Sequence, residues 1–410
     1  MRRRPFLLLA LAALLALAVA APAQAVDRAG LRSTLAKLQP RMGTAAGAYV
    51  VDLTTGDPIY AHQEDRALTP ASNEKLFVTA TALLRFGPTG TLPTTLRAAP
   101  GVVVDEAGVL RGDLYLVGGG DPALGDPGLA TLADQLAVSG VTRIDGGVIG
   151  DESMFDLLRG GPDSGYKPDS DLGGWLSALS WQHGRSGAGS PALAASTKVA
   201  ALLKARKIKY ERKPRAGTIA AAPAATGAQA DPEPLATSPS PTMGALIAAT
   251  NIPSENFYAE MLAKALGARF GANGSTAAGL AVARADMATF GIHPKLVDGS
   301  GLSRSDSTTP RQVVRLLQRM DAQESAATWV SSLPVAGRSG TLRKRMRSTA
   351  AAGRCQAKTG TLIGVSALSG YCTTTGGARV AFSLIENKVC NSCAKSIEDR
   401  MVSAIARLDG

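Results

Sequence analysis

The chain has 410 residues, a formal net charge of +11 at pH 7 and only 4% aromatic residues. This length is too great for one hydrophobic core and predicts two domains. The scarcity of aromatic side chains, together with the export signal described next, argues against a nucleic-acid partner. The basic balance suits peripheral contact with an anionic wall or membrane surface, and it equally suits simple solubility.

The first 25 residues have the pattern of a cleavable export signal. Residues 2–4 are arginines, residues 6–20 form an unbroken apolar run, and Ala23 and Ala25 provide a small-residue cleavage site. A membrane anchor is the alternative, but the apolar run is short for a membrane span. Cleavage after Ala25 would leave a chain of charge +8 that is secreted, periplasmic or associated with the cell wall.

The stretch Thr69-Pro70-Ala71-Ser72-Asn73-Glu74-Lys75 places a serine and a lysine three positions apart at a predicted helix start. Thr69 suits the N-cap, Pro70 suits the first helical position, and Gly87 suits the end of a helix of about four turns. Ser72 and Lys75 would then lie on one helix face. A lysine whose pKa is lowered by an apolar environment can take the proton of such a serine. A single Ser-x-x-Lys is nevertheless weak support, because most copies lie on solvated helices.

The pattern on either side of this helix predicts a sheet and a large insertion. A helix is predicted at 27–38, and strands are predicted at 47–53 and 58–62. We predict a catalytic domain of residues 26–90 and 238–410, with residues 91–237 as an inserted α/β domain. The insertion is predicted to contain strands at 101–104, 109–117 and 147–150, helices at 128–139 and 191–205, and an Ala/Pro-rich return linker at 214–241.

The C-terminal part predicts helices followed by an antiparallel meander. The helices are predicted at 243–250, 256–266, 275–290, 310–320 and 394–408, and the strands at 356–362, 366–372 and 378–386. If the first two strands pair across a turn at 363–365, Cys355 lies directly opposite Cys372.

All four cysteines lie in this C-terminal part, and an even number in an exported chain favours disulfide bonds. The strand register predicts Cys355–Cys372, which leaves Cys390–Cys393 as a small local loop. Cys390-x-x-Cys393 is also compatible with redox chemistry or half of a zinc site. Because no second pair has metal-ligand spacing and the three histidines are scattered, we predict no metal and no cofactor.

Two further short motifs follow in the order that a serine acyl-transfer site needs. Ser254-Glu255-Asn256 lies in a predicted loop between helices, and Lys358-Thr359-Gly360-Thr361 lies on a predicted strand. Ser254 can relay a proton to a leaving amine, and Asn256 can orient a substrate amide. Lys358 is expected to disfavour the protonated form of Lys75. Gly360 is expected to keep the strand surface open, and the N–H groups of Ser72 and Thr361 can form an oxyanion hole.

These three motifs are the set found in penicillin-binding proteins and class A β-lactamases. The sequence resembles the class C low-molecular-mass penicillin-binding proteins, also called type-4 D-alanyl-D-alanine carboxypeptidase/endopeptidases. The segments that carry the resemblance, besides the three motifs, are Gly119-Gly120-Asp121-Pro122, Gly150-Asp151 with Phe155-Asp156, Asp298-Gly299-Ser300-Gly301-Leu302-Ser303-Arg304, and Leu333-Pro334-Val335-Ala336-Gly337.

The resemblance implies an α/β (α+β) fold: a β-lactamase/transpeptidase-like domain, with an antiparallel sheet flanked by helices, that carries a smaller inserted α/β domain. The 182 residues between Ser72 and Ser254 fit the large insertion of this family. Fuller members have two inserted domains, and this chain has room only for the first. Glu255 also stands where the family usually has aspartate.

The resemblance further implies that Ser72 attacks peptidoglycan stem peptides and is acylated by β-lactam antibiotics, with Lys75 as the general base and Lys358 in the proton relay. Thr359 and Thr361, with Gly360 between them, would bind the terminal carboxylate. Arg304 and the region of Leu362 would bind the substrate side chain, and Asp151 would hold the free amine of the substrate, although a salt bridge for Arg304 and a turn role for Asp151 are comparably favoured.

Two other functions use the same residues. A β-lactamase or esterase would share the serine-lysine scaffold, but the long insertion argues against it. A catalytically weak wall-binding module would keep the fold without the chemistry, and the intact motifs argue against that.

Overall fold

The computed structural model describes residues 26–184, 190–219 and 233–409. The predicted export signal and residues 220–232 of the predicted linker lie outside the described residues. Within the described ranges, no helix has the length and apolar character needed to cross a membrane.

The helices and strands of the described part are numbered in chain order. The α-helices are α1 (Arg28–Leu38), α2 (Lys75–Phe86), α3 (Asp126–Val138), α4 (Pro191–Ala205), α5 (Met243–Asn251), α6 (Asn256–Phe270), α7 (Thr276–Thr289), α8 (Pro310–Asp321), α9 (Ala326–Ser331) and α10 (Asn391–Ile405). The strands are β1 (Ala45–Asp52), β2 (Pro58–His62), β3 (Thr94–Ala98), β4 (Val109–Leu110), β5 (Leu114–Val117), β6 (Arg143–Ile144), β7 (Val148–Asp151), β8 (Lys209–Tyr210), β9 (Arg215–Ala216), β10 (Ala236–Ser238), β11 (Cys355–Leu362), β12 (Val365–Thr373) and β13 (Arg379–Asn387).

The main sheet is antiparallel, has the order β11-β12-β13-β1-β2, and thereby joins the N-terminal hairpin to the C-terminal meander. Side chains alternate between its two faces. Val50 and Phe382 face a core shared with α1 and α10, whereas Val51 and Ile385 face the larger core of α2, α6 and α8. An antiparallel sheet between two helical layers is the predicted fold class, and the structure confirms it.

The register of the meander is the predicted one. Leu362 pairs with Val365 across a two-residue turn at Ile363 and Gly364, one residue tighter than expected. Cys355 therefore lies opposite Cys372. Disulfide bonds join Cys355 to Cys372 and Cys390 to Cys393.

The predicted insertion contains two small sheets, of order β10-β3-β5-β7-β9 and β4-β6-β8, and a hydrophobic core shared with α3 and α4. The single strand predicted at 109–117 is wrong, because β4 and β5 belong to different sheets. Asp113 lies between β4 and β5, and its carboxylate accepts the N–H of Gly147 at 2.7 Å. This hydrogen bond holds the segment that connects the two sheets. The strand predicted at 101–104 is also wrong, since only Val104 makes a β-bridge. Strand β3 was not predicted.

One segment of the insertion packs on the helices of the main body. Phe155, Leu172 and Leu176 share the core of α6, and Lys264 of α6, which is 1% exposed, forms an ion pair with Asp156. The domain boundaries at 90/91 and 237/238 stay a prediction. Because this segment packs on α6, the insertion lies next to the region of Ser72 described below.

A buried hydrogen-bonded chain links α9, β12 and α8. The Nε1–H of Trp329, which is fully buried, donates to Tyr371 Oη at 3.0 Å, and this hydroxyl donates to the carbonyl of Leu317 at 2.7 Å. Tyr371→Phe leaves the indole N–H without its acceptor, so we expect a loss of about 1–3 kcal/mol in the free energy of unfolding, measured by urea denaturation. Tyr166→Phe on the surface is the control, and an equal loss in both variants would contradict this role.

Candidate active site

The chain segment that carries Ser72 begins as a tight turn. Residues Ala71–Glu74 form a 3₁₀ helix, and α2 starts only at Lys75. The prediction that Thr69 caps a continuous α-helix is wrong: its hydroxyl donates to the carbonyl of Arg304 at 3.3 Å. Ala71 has φ +47°, a strained conformation for a residue with a Cβ, and this sharp entry brings Ser72 to the start of α2.

Two glycines leave space for the backbone of this turn, because a side chain at either position would collide with it. A Cβ on Gly301 would lie 2.1 Å from the carbonyl oxygen of Ala71, and a Cβ on Gly360 would lie 2.5 Å from that of Pro70. Gly360 is therefore required mainly by the backbone before Ser72, and not only by an open strand surface as the sequence suggested. The serine turn is held between the loop at Gly301 and the edge strand β11.

Ser72 and Lys75 meet as their spacing predicts. Lys75 is fully buried, and its Nζ donates to Ser72 Oγ at 3.0 Å, to Asn256 Oδ1 at 2.6 Å and to the Ser300 carbonyl at 2.5 Å. These three acceptors fix the position of the amine. The contribution of Ser300 was missed in the sequence, because a backbone carbonyl leaves no signal in the residue type.

Ser254 and Lys358 form a second serine-lysine pair. Lys358, also fully buried, donates from Nζ to Ser254 Oγ at 2.6 Å and to the Thr359 carbonyl at 2.8 Å. Ser254 has φ +68°, so the loop between α5 and α6 is strained at this serine. Asn256 joins Lys75 to the insertion, since its Oδ1 accepts from Lys75 Nζ and its Nδ2 donates to the Asp171 carbonyl at 2.8 Å.

Burial governs the charge of both lysines. It lowers the pKa of Lys75 to about 8, against the opposing effect of nearby Asp298 and Glu260. It also lowers the pKa of Lys358 well below the usual range, and the charge of Lys75 lowers it further. Burial and the charge of Lys75 thus both favour neutral Lys358. The expected influence of Lys358 on the protonation of Lys75 stays a prediction.

Four buried carboxyl groups cluster near Lys75, and they belong to Glu74, Glu260, Asp298 and Asp306. Glu260 accepts the N–H groups of Gly299 and Ser300, and Asp298 shares the Ser300 N–H and accepts two further N–H groups of the same loop. Burial raises the pKa of Glu260 to about 7 and, with the charge of Asp298, that of Asp306 to about 9. These groups shape the loop that presents the Ser300 carbonyl to Lys75. The sequence marked the segment only through the family resemblance and gave it no role.

The substrate-binding candidates lie along β11, which is an edge strand. Thr359 donates to the hydroxyl of Thr341 at 2.9 Å, Thr361 is exposed, and Leu362 is half-buried at the end of the strand. Arg304 is exposed, and its Nη2 donates to the Ile363 carbonyl at 2.8 Å. These side chains therefore share one border with the serine-lysine pairs.

The structure does not bring Asp151 into this group. Asp151 is 1% exposed, and its two carboxylate oxygens accept the N–H groups of Ser153 at 2.8 Å and Ile219 at 2.7 Å. Its role is to hold the chain at the end of β7, as the turn alternative proposed, and not to face a substrate amine. Asp163 is the acidic residue of the insertion that does reach the border: it accepts from Ser303 Oγ at 2.8 Å and from the Arg304 N–H at 3.3 Å.

Comparison with known proteins agrees with this geometry. The model of the D-Ala-D-Ala carboxypeptidase 3 (S13) family matches residues 28–172 and 186–408. The chain belongs to this family. It is 32% identical to the D-alanyl-D-alanine carboxypeptidase of Actinomadura sp. (strain R39), over 90% of this chain and 82% of that one. It is also 29% identical to carboxypeptidase DacB of Mycolicibacterium smegmatis, over 88% and 80% of the two chains.

Solved structures support the fold of this S13 enzyme. Penicillin binding protein 4 (dacB) from Haemophilus influenzae superposes with a TM-score of 0.72 at 19% identity, over 90% of this chain and 97% of that one. A predatory endopeptidase from Bdellovibrio bacteriovorus superposes with a TM-score of 0.58 at 18% identity, over 88% and 92%. Family and relatives identify the protein as a serine peptidase of the D-Ala-D-Ala carboxypeptidase family.

If neutral Lys75 takes the proton of Ser72, acylation should depend on pH through this lysine. Lys75 is protonated and inactive below its pKa, so the rate should rise with pH and reach half of its plateau near pH 8. The measurement is the rate of covalent penicillin adduct formation between about pH 6 and 10. A rate that is flat across this interval would contradict the assignment.

Proposed function

We propose that Ser72 attacks the carbonyl between the two terminal D-alanines of a peptidoglycan stem peptide. The observation that carries the proposal is the buried amine of Lys75, 3.0 Å from Ser72 Oγ and with a pKa lowered to about 8. Lys75 takes the serine proton as the carbon–oxygen bond forms, D-alanine leaves as the amide bond breaks, and water then hydrolyses the acyl-enzyme. The carboxypeptidase and D,D-endopeptidase reactions share these steps.

The second pair supplies the proton for the leaving amine. Ser254 Oγ lies 2.6 Å from Lys358 Nζ, and Ser254 stands two residues before Asn256, whose amide oxygen accepts from Lys75 Nζ. Ser254 gives its hydroxyl proton to the leaving amine and is reprotonated by Lys358, which takes up the proton that Lys75 removed from Ser72, so both lysines end neutral and the two residues act as a relay. The N–H groups of Ser72 and Thr361 are the proposed oxyanion hole.

The stem peptide is proposed to lie along the open edge of β11. The outer edge of β11 pairs with residues 334–335 only near Gln356 and Ala357, which leaves the part from Lys358 to Leu362 free to add a substrate strand. In this pose the hydroxyls of Thr359 and Thr361 bind the terminal carboxylate. Arg304, beside Leu362, suits a carboxylate on the substrate side chain.

β-Lactams are proposed to acylate Ser72 and to remain bound. The same penicillin binding protein 4 of H. influenzae is also known in complex with a β-lactam, and its fold matches that of this chain with a TM-score of 0.68. A strained lactam amide is attacked by the same serine. The enzyme is expected to act outside the cytoplasm, where peptidoglycan and these antibiotics are found.

Removal of the nucleophile gives the direct test. Ser72→Ala should form no covalent penicillin adduct in intact mass spectrometry and release no D-alanine, because no other serine hydroxyl contacts Lys75 Nζ in the described structure. Ser305→Ala, at an exposed serine near Arg304, is the matched control and should keep both signals. An adduct on the folded Ser72→Ala protein would refute the proposal.

A second proposed contact is with the anionic wall or membrane surface. A cavity of about 680 Å³ between α1, α10 and the segment at 346–349 is lined by Lys37, Arg347, Arg400 and Arg407, and none of the four forms an ion pair within the described ranges. Asp399 also lines it but is paired with Arg345 at 2.7 Å. Four unpaired cations in one concave site suit a phosphate-rich polymer.

Charge reversal tests this basic cavity. The double variant Lys37→Glu/Arg400→Glu should sediment less with isolated cell walls at low salt, while its D-alanine release from a soluble peptide stays unchanged. Arg315→Glu/Arg319→Glu, at two exposed positions of α8 on the opposite side of the main sheet, changes the net charge equally and is the control. Equal loss of sedimentation in the two double variants would exclude a specific site.

A further inference from the structure

The disulfide Cys390–Cys393 lies at an exposed helix start that the proposed reaction does not use. β13 ends at Asn387, Cys390 is the N-cap of α10, and both cysteines are exposed. The other disulfide differs in this respect, because Cys355 and Cys372 are 0% and 1% exposed between paired strands. A reductant can therefore reach Cys390–Cys393 more readily than Cys355–Cys372.

The helix start also stabilises a thiolate at Cys390. The N–H of Cys393 donates to Cys390 Sγ at 3.3 Å, and the hydroxyl of Ser392 lies 3.3 Å from the same sulfur. A helix N-terminus favours negative charge, and a stabilised thiolate is a good leaving group in thiol–disulfide exchange. Cys-x-x-Cys at a helix start is therefore suited to reversible reduction.

One of the two residues between the cysteines, Asn391, holds the turn at the border of the substrate cleft. Asn391 Nδ2 donates to the carbonyls of Leu362 at 2.8 Å and Val365 at 2.7 Å, and its Oδ1 accepts the Gly364 N–H at 3.1 Å. The carbonyl of Ile363 in this turn accepts from Arg304. The four-residue disulfide ring thus includes the side chain that clamps the end of β11.

We propose that Cys390–Cys393 is a thiol–disulfide exchange site whose reduction loosens the β11–β12 turn and slows acylation. In the oxidised form the sulfur–sulfur bond closes a ring around Asn391 and restricts its conformations. Reduction opens this ring, so the three hydrogen bonds of Asn391 to the turn are held less firmly. The co-reactant is a dithiol or a pair of monothiols outside the chain.

The exchange balances in two steps. A reductant thiolate attacks Cys393 Sγ, the Cys390–Cys393 bond breaks, and Cys390 leaves as the thiolate that the helix start stabilises. A second thiolate then attacks the reductant sulfur of the mixed disulfide and releases Cys393. Two electrons pass to the two cysteines, the reductant becomes a disulfide, and the protons of its thiols pass to the cysteines or to water.

The first test measures selectivity without using activity. The native, full-length protein is treated with dithiothreitol, alkylated with iodoacetamide and mapped by peptide mass spectrometry. We expect labels on Cys390 and Cys393 at reductant concentrations that leave Cys355 and Cys372 unlabelled. Absence of labelling on Cys390, or labelling of all four cysteines together, would overturn the proposal.

The second test measures the link to the cleft and rests on the proposed role of Ser72. The reduced wild type should form the penicillin adduct about threefold to tenfold more slowly than the oxidised wild type. Asn391→Ala should show the slower rate in both redox states while Cys390 and Cys393 still become labelled. Ser396→Ala, one turn along α10 and exposed, should behave as wild type.

The outcomes separate the two proposals. Equal rates in the oxidised and reduced wild type would overturn the link to the cleft. A Cys390→Ser/Cys393→Ser variant with the slower rate and no response to dithiothreitol would support it. Absence of any adduct in either redox state would instead count against the role of Ser72, and the labelling result would stand by itself.

Discussion

The site depends on the burial of Lys75. An amine without contact to water must satisfy its hydrogen bonds inside the protein, and here Ser72, Asn256 and the Ser300 carbonyl are its acceptors. The same burial lowers its pKa towards the range where a neutral amine can accept a proton. The strained turn at Ala71 follows from this arrangement, because Ser72 must reach the amine from the first turn of a buried helix.

The insertion contributes hydrogen bonds to the site and also lies at its border. The Asp171 carbonyl fixes the amide of Asn256, whose oxygen contacts Lys75, and Asp163 holds the loop of Ser303 and Arg304. The insertion is therefore connected to Lys75, the proposed general base, through a single residue, Asn256. The hydrophobic core shared by the segment at 152–178 and α6 supports this placement.

Much of this could be predicted from the sequence. The turn predicted between the first two strands of the meander set their register, because the position of a hairpin turn decides which residues lie opposite one another. The spacing of Ser72 and Lys75 fixed their contact for an equally local reason, since residues three apart lie on one helix face. The short strands of the insertion were harder. Strands β4 and β5 are separated by three residues in the chain but belong to different sheets, and no local pattern encodes that choice.

What only the tertiary structure decided concerns contacts between distant segments. Asp151 was a candidate for the cleft by resemblance, but its carboxylate is used by the backbone of Ser153 and Ile219. The burial that lowers the pKa of Lys358 also came from the fold, because desolvation depends on the groups packed around a lysine, which its neighbours in the chain do not specify. The sequence by itself determined the chemical groups and their local spacing, whereas burial, and with it the protonation of the two lysines, was decided by long-range packing.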